Sequence, residues 1–153
     1  MKIIKINQLK EKLKELKRGK IVLIGGCFDL FHFGHLDFLK KAKAQGNYLI
    51  VLLESDSFIK RIKKRNSIHT QNERAEILSS LEMVDLVVLL PFLKSDLYYQ
   101  GLVKLIKPDI IAVATGDIKL NTKMKQASLV GAKIKQIPLV SKFSSSKIIC
   151  NYF

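Results

Sequence analysis

The sequence predicts an α/β fold, a single three-layer domain built on a five-stranded parallel sheet. Short apolar runs alternate with amphipathic segments from residue 21 onward, the pattern of strand–helix–strand units. A length of 153 residues suits one domain with its own core, and 3 prolines and 8 glycines leave no long linker. We therefore assign residues 1–153 to one domain, with residues 1–19 as an N-terminal helical extension.

The composition narrows the class of protein. The chain is 48% hydrophobic and 26% charged, which is ordinary for a globular protein. No apolar run approaches the ~18 residues of a membrane span, and the N-terminus lacks a signal-peptide core, so we expect a cytoplasmic protein without membrane contact. Cys27 and Cys150 are expected to be free thiols in that compartment.

A net charge of +14 indicates affinity for phosphate-bearing partners. The lysines are spread along the chain, and the one dense basic run, residues 60–65, has no interleaved aromatic residues for stacking bases. We therefore expect nucleotide binding rather than nucleic-acid binding.

The first half of the chain predicts two strands and two helices. Leu9, Leu13 and Leu16 recur at helical spacing and predict a helix over 7–18. Apolar residues predict strands at 21–25 and 48–53, with a tight Gly25-Gly26 turn after the first. A second helix is predicted over 35–45.

The second half begins with a polar, basic stretch at 54–70, which predicts a mobile loop over a site. Thr70 and Glu73 form a capping box, so a helix begins there. The remaining segments predict strands at 85–90, 109–113 and 133–137, helices at 96–106 and near 121–130, a loop at 114–117 and a serine-capped last helix.

Two histidines follow the first predicted strand. His32 and His35 flank Gly34 where a helix begins, and a helix N-terminus favours an anion. A glycine between them allows a triphosphate to approach closely. This arrangement suits attack on the α-phosphate of a nucleoside triphosphate, with the protein positioning both groups and neutralising charge. Cys27 has no evident base and is not expected to act as a nucleophile.

Four stretches resemble the cytidylyltransferase-like nucleotidyltransferase superfamily, over residues 2–150. They are GGCFDLFHFGH, LESDSFIKRIKK, TQNERAEILSSLEMVDLVV and FSSSKII. The resemblance implies a Rossmann-like fold, a homodimer, and Mg2+ brought with the nucleotide rather than held in a protein metal site. It implies catalytic phosphate contacts from His32, His35 and Lys63. The implied nucleotide-binding residues are Gly26, Cys27, Phe28, Asp29, Gly34, Arg74, Gly116, Asp117, Ser144, Ser145 and Ser146.

Within the superfamily the chain is most similar to the adenylyltransferase domain of ADP-heptose synthases, which transfer AMP from ATP to heptose 1-phosphate. That family usually has Lys-Gly-Gly-Asp where this chain has residues 114–117, ATGD. Glycerol-3-phosphate cytidylyltransferases carry a matching Gly-Asp, and FMN adenylyltransferases resemble the core. A basic nucleotide- or RNA-binding protein on the same fold is the non-enzymatic alternative.

Overall fold

A computed structural model of the chain describes residues 1–140 and 142–152; Ser141 and Phe153 lie outside the described residues. The fold is a single α/β domain with one parallel sheet. Its strands are β1 (Ile3–Lys5), β2 (Ile21–Gly26), β3 (Tyr48–Leu53), β4 (Leu86–Leu89), β5 (Ile110–Ala114) and β6 (Lys133–Ile137). They lie in the order β1-β4-β3-β2-β5-β6, and every neighbouring pair is parallel.

The prediction of five strands was wrong, because the sheet has a sixth. Residues Ile3–Lys5 form an edge strand that pairs with Val87–Leu89 of β4. Ile4 is the only fully buried residue of the three. A strand this short, flanked by lysines, gives no measurable period-2 pattern, so it was included in the N-terminal helical segment.

Within the described residues, seven α-helices connect or flank the strands. They are α1 (Leu9–Lys14), α2 (Phe33–Lys43), α3 (Asp56–Ile62), α4 (Gln71–Ser79), α5 (Asp96–Ile106), α6 (Leu120–Ser128) and α7 (Ser145–Tyr152). The bounds predicted for α5 are confirmed. The first helix is shorter than predicted, with a 3-10 turn at Ile6–Gln8 before it.

The prediction of an uninterrupted loop over 54–70 was also wrong. Helix α3 occupies its first half, and the Ser55 hydroxyl caps it by accepting a hydrogen bond from the Phe58 N–H at 3.1 Å. Ile59 is the single buried residue of this helix, so the sequence carries almost no apolar periodicity. The segment without regular structure is therefore confined to residues 63–70.

The sheet is covered on both faces. Along β3, Leu49, Val51 and Leu53 belong to one apolar core, while Ile50 and Leu52 belong to the other. The first core also contains residues of α2 and α4, and the second contains residues of α1, α5 and α6. This alternation explains why β3 appears in the sequence as a continuous apolar run.

Strand order reverses around β2, which lies between β3 and β5. The chain proceeds from β2 through β3 to β4 on one side, and from β5 to β6 on the other. Ligands of open α/β sheets bind at such a point, beyond the carboxyl ends of the strands. The loop that follows Gly26 therefore begins where a ligand is expected. No helix within the described residues is long and apolar enough to cross a membrane.

Candidate active site

The loop between β2 and α2 turns at residues other than those predicted. Gly25 and Gly26 are not a turn: they are the last residues of β2 and pair with Leu52 and Leu53. The backbone instead turns at Phe28 and Leu30, which both have φ of 50°. A non-glycine residue in this left-handed region costs on the order of 1 kcal/mol. Burial of the Phe28 side chain helps to stabilise this strained loop.

The two histidines lie against each other at the start of α2. Their rings stack with centroids 3.8 Å apart and an interplanar angle of 20°. His32 is the N-cap residue, and its backbone N–H donates a long 3.4 Å hydrogen bond to Nδ1 of His35. Within residues 1–140 and 142–152, neither ring nitrogen of His32 has a hydrogen-bond partner, although both are enclosed. Buried polar atoms without a partner mark a place where a ligand can bind.

Both imidazoles are neutral at pH 7. Burial, followed by the neighbouring charge of His32, lowers the pKa of His35 to about 3. Burial also lowers the pKa of His32. Because Nδ1 of His35 accepts a hydrogen bond, its proton lies on Nε2, which is a donor available to an anion. A bound phosphate would raise both pKa values by favouring the charged forms.

Gly34 has a packing role that the sequence did not reveal. A Cβ there would lie 2.9 Å from Cε1 and 3.0 Å from Nδ1 of His32, and 3.4 Å from Cβ of Phe143. The Phe143 ring stacks on His32 at 6.4 Å and meets the edge of Phe33 at 5.8 Å. Glycine is therefore needed at position 34 so that the His32 ring and the C-terminal segment can pack there. This requirement is separate from any space that a phosphate would need.

Asp29 connects three parts of the site. Its buried carboxylate accepts hydrogen bonds from Nη1 of Arg65 at 2.6 Å and from the backbone N–H groups of Ile68 and His69 at 3.0 Å. Its backbone oxygen accepts one from the Ser145 hydroxyl at 2.5 Å. Burial acts to raise the pKa of Asp29, but the hydrogen bonds from His69, Arg65 and Ile68 outweigh it and hold the pKa low. The structure thus engages this carboxylate with protein donors.

Arg74 does not reach the surface of the site. Its side chain is fully buried, and the guanidinium donates to the backbone oxygens of Cys27, Glu54 and His69 and to Asp56. These bonds join the carboxyl ends of β2 and β3 to the start of α4. The guanidinium thus forms a clamp inside the protein, which depends on long-range packing and has no signal in the sequence, while the nucleotide contact of Arg74 stays a prediction.

Lys63 is exposed at the end of α3, where its backbone N–H donates to the Ile59 oxygen at 2.9 Å. Its side chain forms no hydrogen bond or ion pair with the described part of the chain. Burial raises the pKa of the Cys27 thiol, and the Lys63 ammonium opposes that rise more than any other charge. Lys60 and Lys64 have no comparable effect on Cys27. The raised pKa keeps Cys27 a thiol at neutral pH, and both cysteines are free.

The turn after β5 holds two further candidates. Gly116 has φ of 85°, a conformation that favours glycine. The carboxylate of Asp117 accepts the Lys119 N–H at 2.7 Å and Nζ of Lys123 at 2.5 Å. Burial acts to raise the pKa of Asp117, but the hydrogen bonds from Lys123 and Lys119 and the charge of Lys123 together outweigh it and keep the pKa low.

The three serines take different positions. The Ser144 hydroxyl accepts the Lys147 N–H at 3.1 Å and so caps α7, as the sequence predicts. Ser145 bonds to the histidine loop through Asp29, whereas Ser146 is exposed. The structure thus brings Ser145 directly to this loop.

Glu54 is a site residue that the sequence reasoning missed. It follows β3, is 7% exposed, and accepts a 2.7 Å hydrogen bond from the Tyr99 hydroxyl. Its second oxygen, Oε2, is buried and has no partner in residues 1–140 and 142–152. Burial raises the pKa of Glu54 to about 6. An acidic residue directly after a buried strand was the signal available in the sequence.

In the same described ranges, no three His, Cys, Asp or Glu residues form a group that could hold a metal ion.

Comparison with known proteins adds a family and several relatives. The family model described as cytidylyltransferase-like matches residues 23–151. "Bifunctional protein HldE" of a Nitratiruptor species is 42% identical over 135 residues, which are 87% of this chain and 28% of that protein. The protein of the same name from Helicobacter hepaticus is 40% identical over 149 residues, 97% of this chain and 30% of the relative. The chain thus spans under a third of the length of these curated relatives.

Solved structures agree on the fold. The lipopolysaccharide core biosynthesis protein from Thermoplasma volcanium is 27% identical with a TM-score of 0.64, over 80% of this chain and 97% of that one. Pantoate-beta-alanine ligase from Francisella tularensis has a TM-score of 0.69 at 16% identity, over 97% of this chain and 76% of its own. The second likeness concerns the fold alone.

Proposed function

The chain belongs to the cytidylyltransferase-like family, and on that premise we propose that it is a nucleotidyltransferase. It transfers AMP from ATP to the phosphate of a small phosphorylated sugar of the heptose 1-phosphate type, and releases pyrophosphate. The observation that carries this proposal is the stacked pair His32 and His35 at the N-terminus of α2, in which both ring nitrogens of His32 are enclosed and have no partner among the described residues. That pair follows β2, where strand order reverses.

The reaction needs no covalent intermediate on the protein. An oxygen of the acceptor phosphate attacks the α-phosphorus of ATP and forms a new P–O bond. The bond from that phosphorus to the bridging oxygen breaks, and pyrophosphate leaves with the electron pair. Negative charge grows on the transferred and departing phosphates, and donors fixed in advance stabilise it.

The side chains of the site divide this work. Nε2 of His35 donates to the phosphate on which charge develops, and His32 offers ring nitrogens that the protein leaves without partners. Lys63 supplies a flexible positive charge from the end of α3. Arg74 is a positioning residue, because its hydrogen bonds hold the ends of β2 and β3 together.

Mg2+ arrives with the triphosphate in this proposal. The carboxylate of Asp29, in the histidine loop, already accepts hydrogen bonds from three protein donors, so phosphate oxygens and water would supply the ligands of an ion that is bound with the nucleotide. The ion would neutralise phosphate charge.

The choice of acceptor rests on the relatives at about 40% identity and on the resemblance to adenylyltransferase domains. One feature favours a second candidate, glycerol 3-phosphate with CTP. Residues 114–117 keep a Gly-Asp but have Ala114 and Thr115 before it, without a lysine.

A pyrophosphate-release assay tests the proposal. ATP and CTP are each paired with heptose 1-phosphate, glycerol 3-phosphate and FMN in the presence of Mg2+. We expect release above background with ATP and the sugar phosphate. Tight, salt-sensitive RNA binding without consumption of either triphosphate would favour the non-enzymatic alternative.

We extend the proposal to the setting of the enzyme. A reaction that consumes ATP and a sugar phosphate belongs in the cytoplasm, and the family resemblance favours a homodimer. Sedimentation at micromolar concentration distinguishes the dimer from a monomer of 17.4 kDa.

A further inference from the structure

Arg65 has one occupied edge and one unoccupied edge. Its Nη1 donates to Oδ2 of Asp29 at 2.6 Å and to the backbone oxygen of Asn66 at 3.0 Å. Nε is buried and has no hydrogen-bond partner in the described ranges 1–140 and 142–152, and no bond from Nη2 is formed there either. A guanidinium grips a phosphate or carboxylate with two parallel N–H groups. The Nε–Nη2 edge of Arg65 is such a pair.

Arg65 lies beside the loop that leads to the histidines, because its Nη1 donates to Asp29 of that loop. Its side chain is 23% exposed, so the guanidinium is partly enclosed without being sealed off. Its hydrogen bond and charge help to lower the pKa of Asp29, with which it pairs, and its charge opposes the rise that burial causes in the pKa of Cys27, the residue after β2. The charge of Asp29 in turn acts on His35. The four groups therefore surround the same turn.

A comparison of Arg65 with Arg74 indicates which of the two arginines is available to bind a ligand. Arg74 is 0% exposed and donates four hydrogen bonds to the protein, three of them to backbone oxygens. Moving it to a ligand would break the junction of β2, β3 and α4. Arg65 can bind a ligand while keeping its Asp29 bond, because that bond uses the other edge of the guanidinium.

We propose that Arg65 is a phosphate-binding residue that receives the pyrophosphate portion of the bound triphosphate on its Nε–Nη2 edge. This inference rests on the proposed nucleotidyl transfer. Asp29 holds the guanidinium through Nη1 and leaves the Nε–Nη2 edge for a ligand. When the bond between the α- and β-phosphates breaks, the departing pyrophosphate gains negative charge, and Arg65 offsets it where Lys63 provides a second cation.

Binding measurements test the inference without turnover. ATP, AMP and inorganic pyrophosphate are titrated with Mg2+ into the wild-type chain and into Arg65→Gln. Loss of a charged, forked contact should weaken ATP and pyrophosphate by about 10- to 100-fold. AMP lacks the contacted phosphates, so its affinity should change by no more than about twofold. That change is much smaller than the one expected when a charged hydrogen bond is lost.

Two further variants sharpen this test. Arg61→Gln is the matched control, because Arg61 lies four residues earlier with its guanidinium 4.7 Å from the centroid of the Phe92 ring. It should leave all three affinities unchanged. Arg65→Lys keeps a charge beside Asp29 but loses the fork, so it should retain the fold and still weaken ATP. If Arg65→Gln does not fold, Arg65→Lys decides the outcome.

The possible failures are distinguishable. Equal loss of ATP and AMP affinity in a folded variant would show that Arg65 acts through the loop that Asp29 holds, and would overturn the inference. Unchanged ATP and pyrophosphate affinity would overturn it as well. Absence of ATP binding to the wild-type chain would overturn the proposed function itself.

Discussion

Replacing Arg74 by methionine removes the clamp at the carboxyl ends of β2 and β3 while preserving most of the side-chain volume. The structure predicts a large loss of stability from this change, since the guanidinium is fully buried and no water can take its place. A nucleotide-contacting arginine would behave differently, because its removal would spare the free protein.

The magnitude follows from the four hydrogen bonds. The backbone oxygens of Cys27, Glu54 and His69 would each lose a donor. A buried polar group left unpaired costs about 1–3 kcal/mol. The ion pair with Asp56 adds little, because the Asp56 side chain is 46% exposed. With some relaxation, we expect Arg74→Met to lower the free energy of unfolding by about 4 kcal/mol.

Urea denaturation followed by circular dichroism measures this loss. Arg61→Met serves as the control, since Arg61 is exposed and its guanidinium lies over the Phe92 ring without a hydrogen bond or ion pair to the residues that the structure describes. It should change the free energy of unfolding by less than about 1 kcal/mol. An Arg74→Met protein of near wild-type stability that binds ATP at least about tenfold more weakly would refute the clamp and indicate direct contact.

Two other changes test features near the histidines. Gly34→Ala should lower turnover by about tenfold or more, because its Cβ would displace the His32 ring from 2.9 Å, whereas Gly101→Ala in α5 meets no atom within 4 Å and should leave turnover unchanged. Equal turnover of the two variants would contradict this. Burial raises the pKa of Glu54 from 4.5 to about 6, so its carboxyl stabilises the fold when protonated and loses that stability as pH rises from 4.5 to 6. Glu54→Gln should therefore gain about 2 kcal/mol relative to wild type between pH 4.5 and pH 7, as measured by denaturant unfolding; a constant difference would contradict the burial argument.

The sequence contains enough local information for most of the fold. The bounds of β3, β6 and α5 match their apolar patterns, and the Thr70–Glu73 capping box marks the start of α4. The sequence does not predict the N-terminal strand Ile3–Lys5 or the helix Asp56–Ile62, because each of them buries a single residue. Their existence depends on contacts with distant segments, which local periodicity does not carry.

The sequence predicts which residues are candidates for the site, but it does not predict the hydrogen-bond partners of those residues. The histidines and Gly34 stand out in sequence because they follow a buried strand and begin a helix. The partners of Asp29 lie 36 or more positions away, at Arg65 and beyond. Arg74 likewise reaches Cys27 across 47 positions. Such pairings follow from the sheet order, so the full burial of Arg74 and the partial exposure of Arg65 could not be predicted from the sequence.

In the proposed reaction, His35 acts on the phosphate undergoing transfer. The most direct measurement is the rate of pyrophosphate release from ATP with a heptose 1-phosphate acceptor and Mg2+, comparing wild type with His35→Ala. We predict that the variant folds and loses about 100-fold or more in kcat, as expected when a donor to the transition state is removed. Turnover by His35→Ala close to that of wild type would contradict the account.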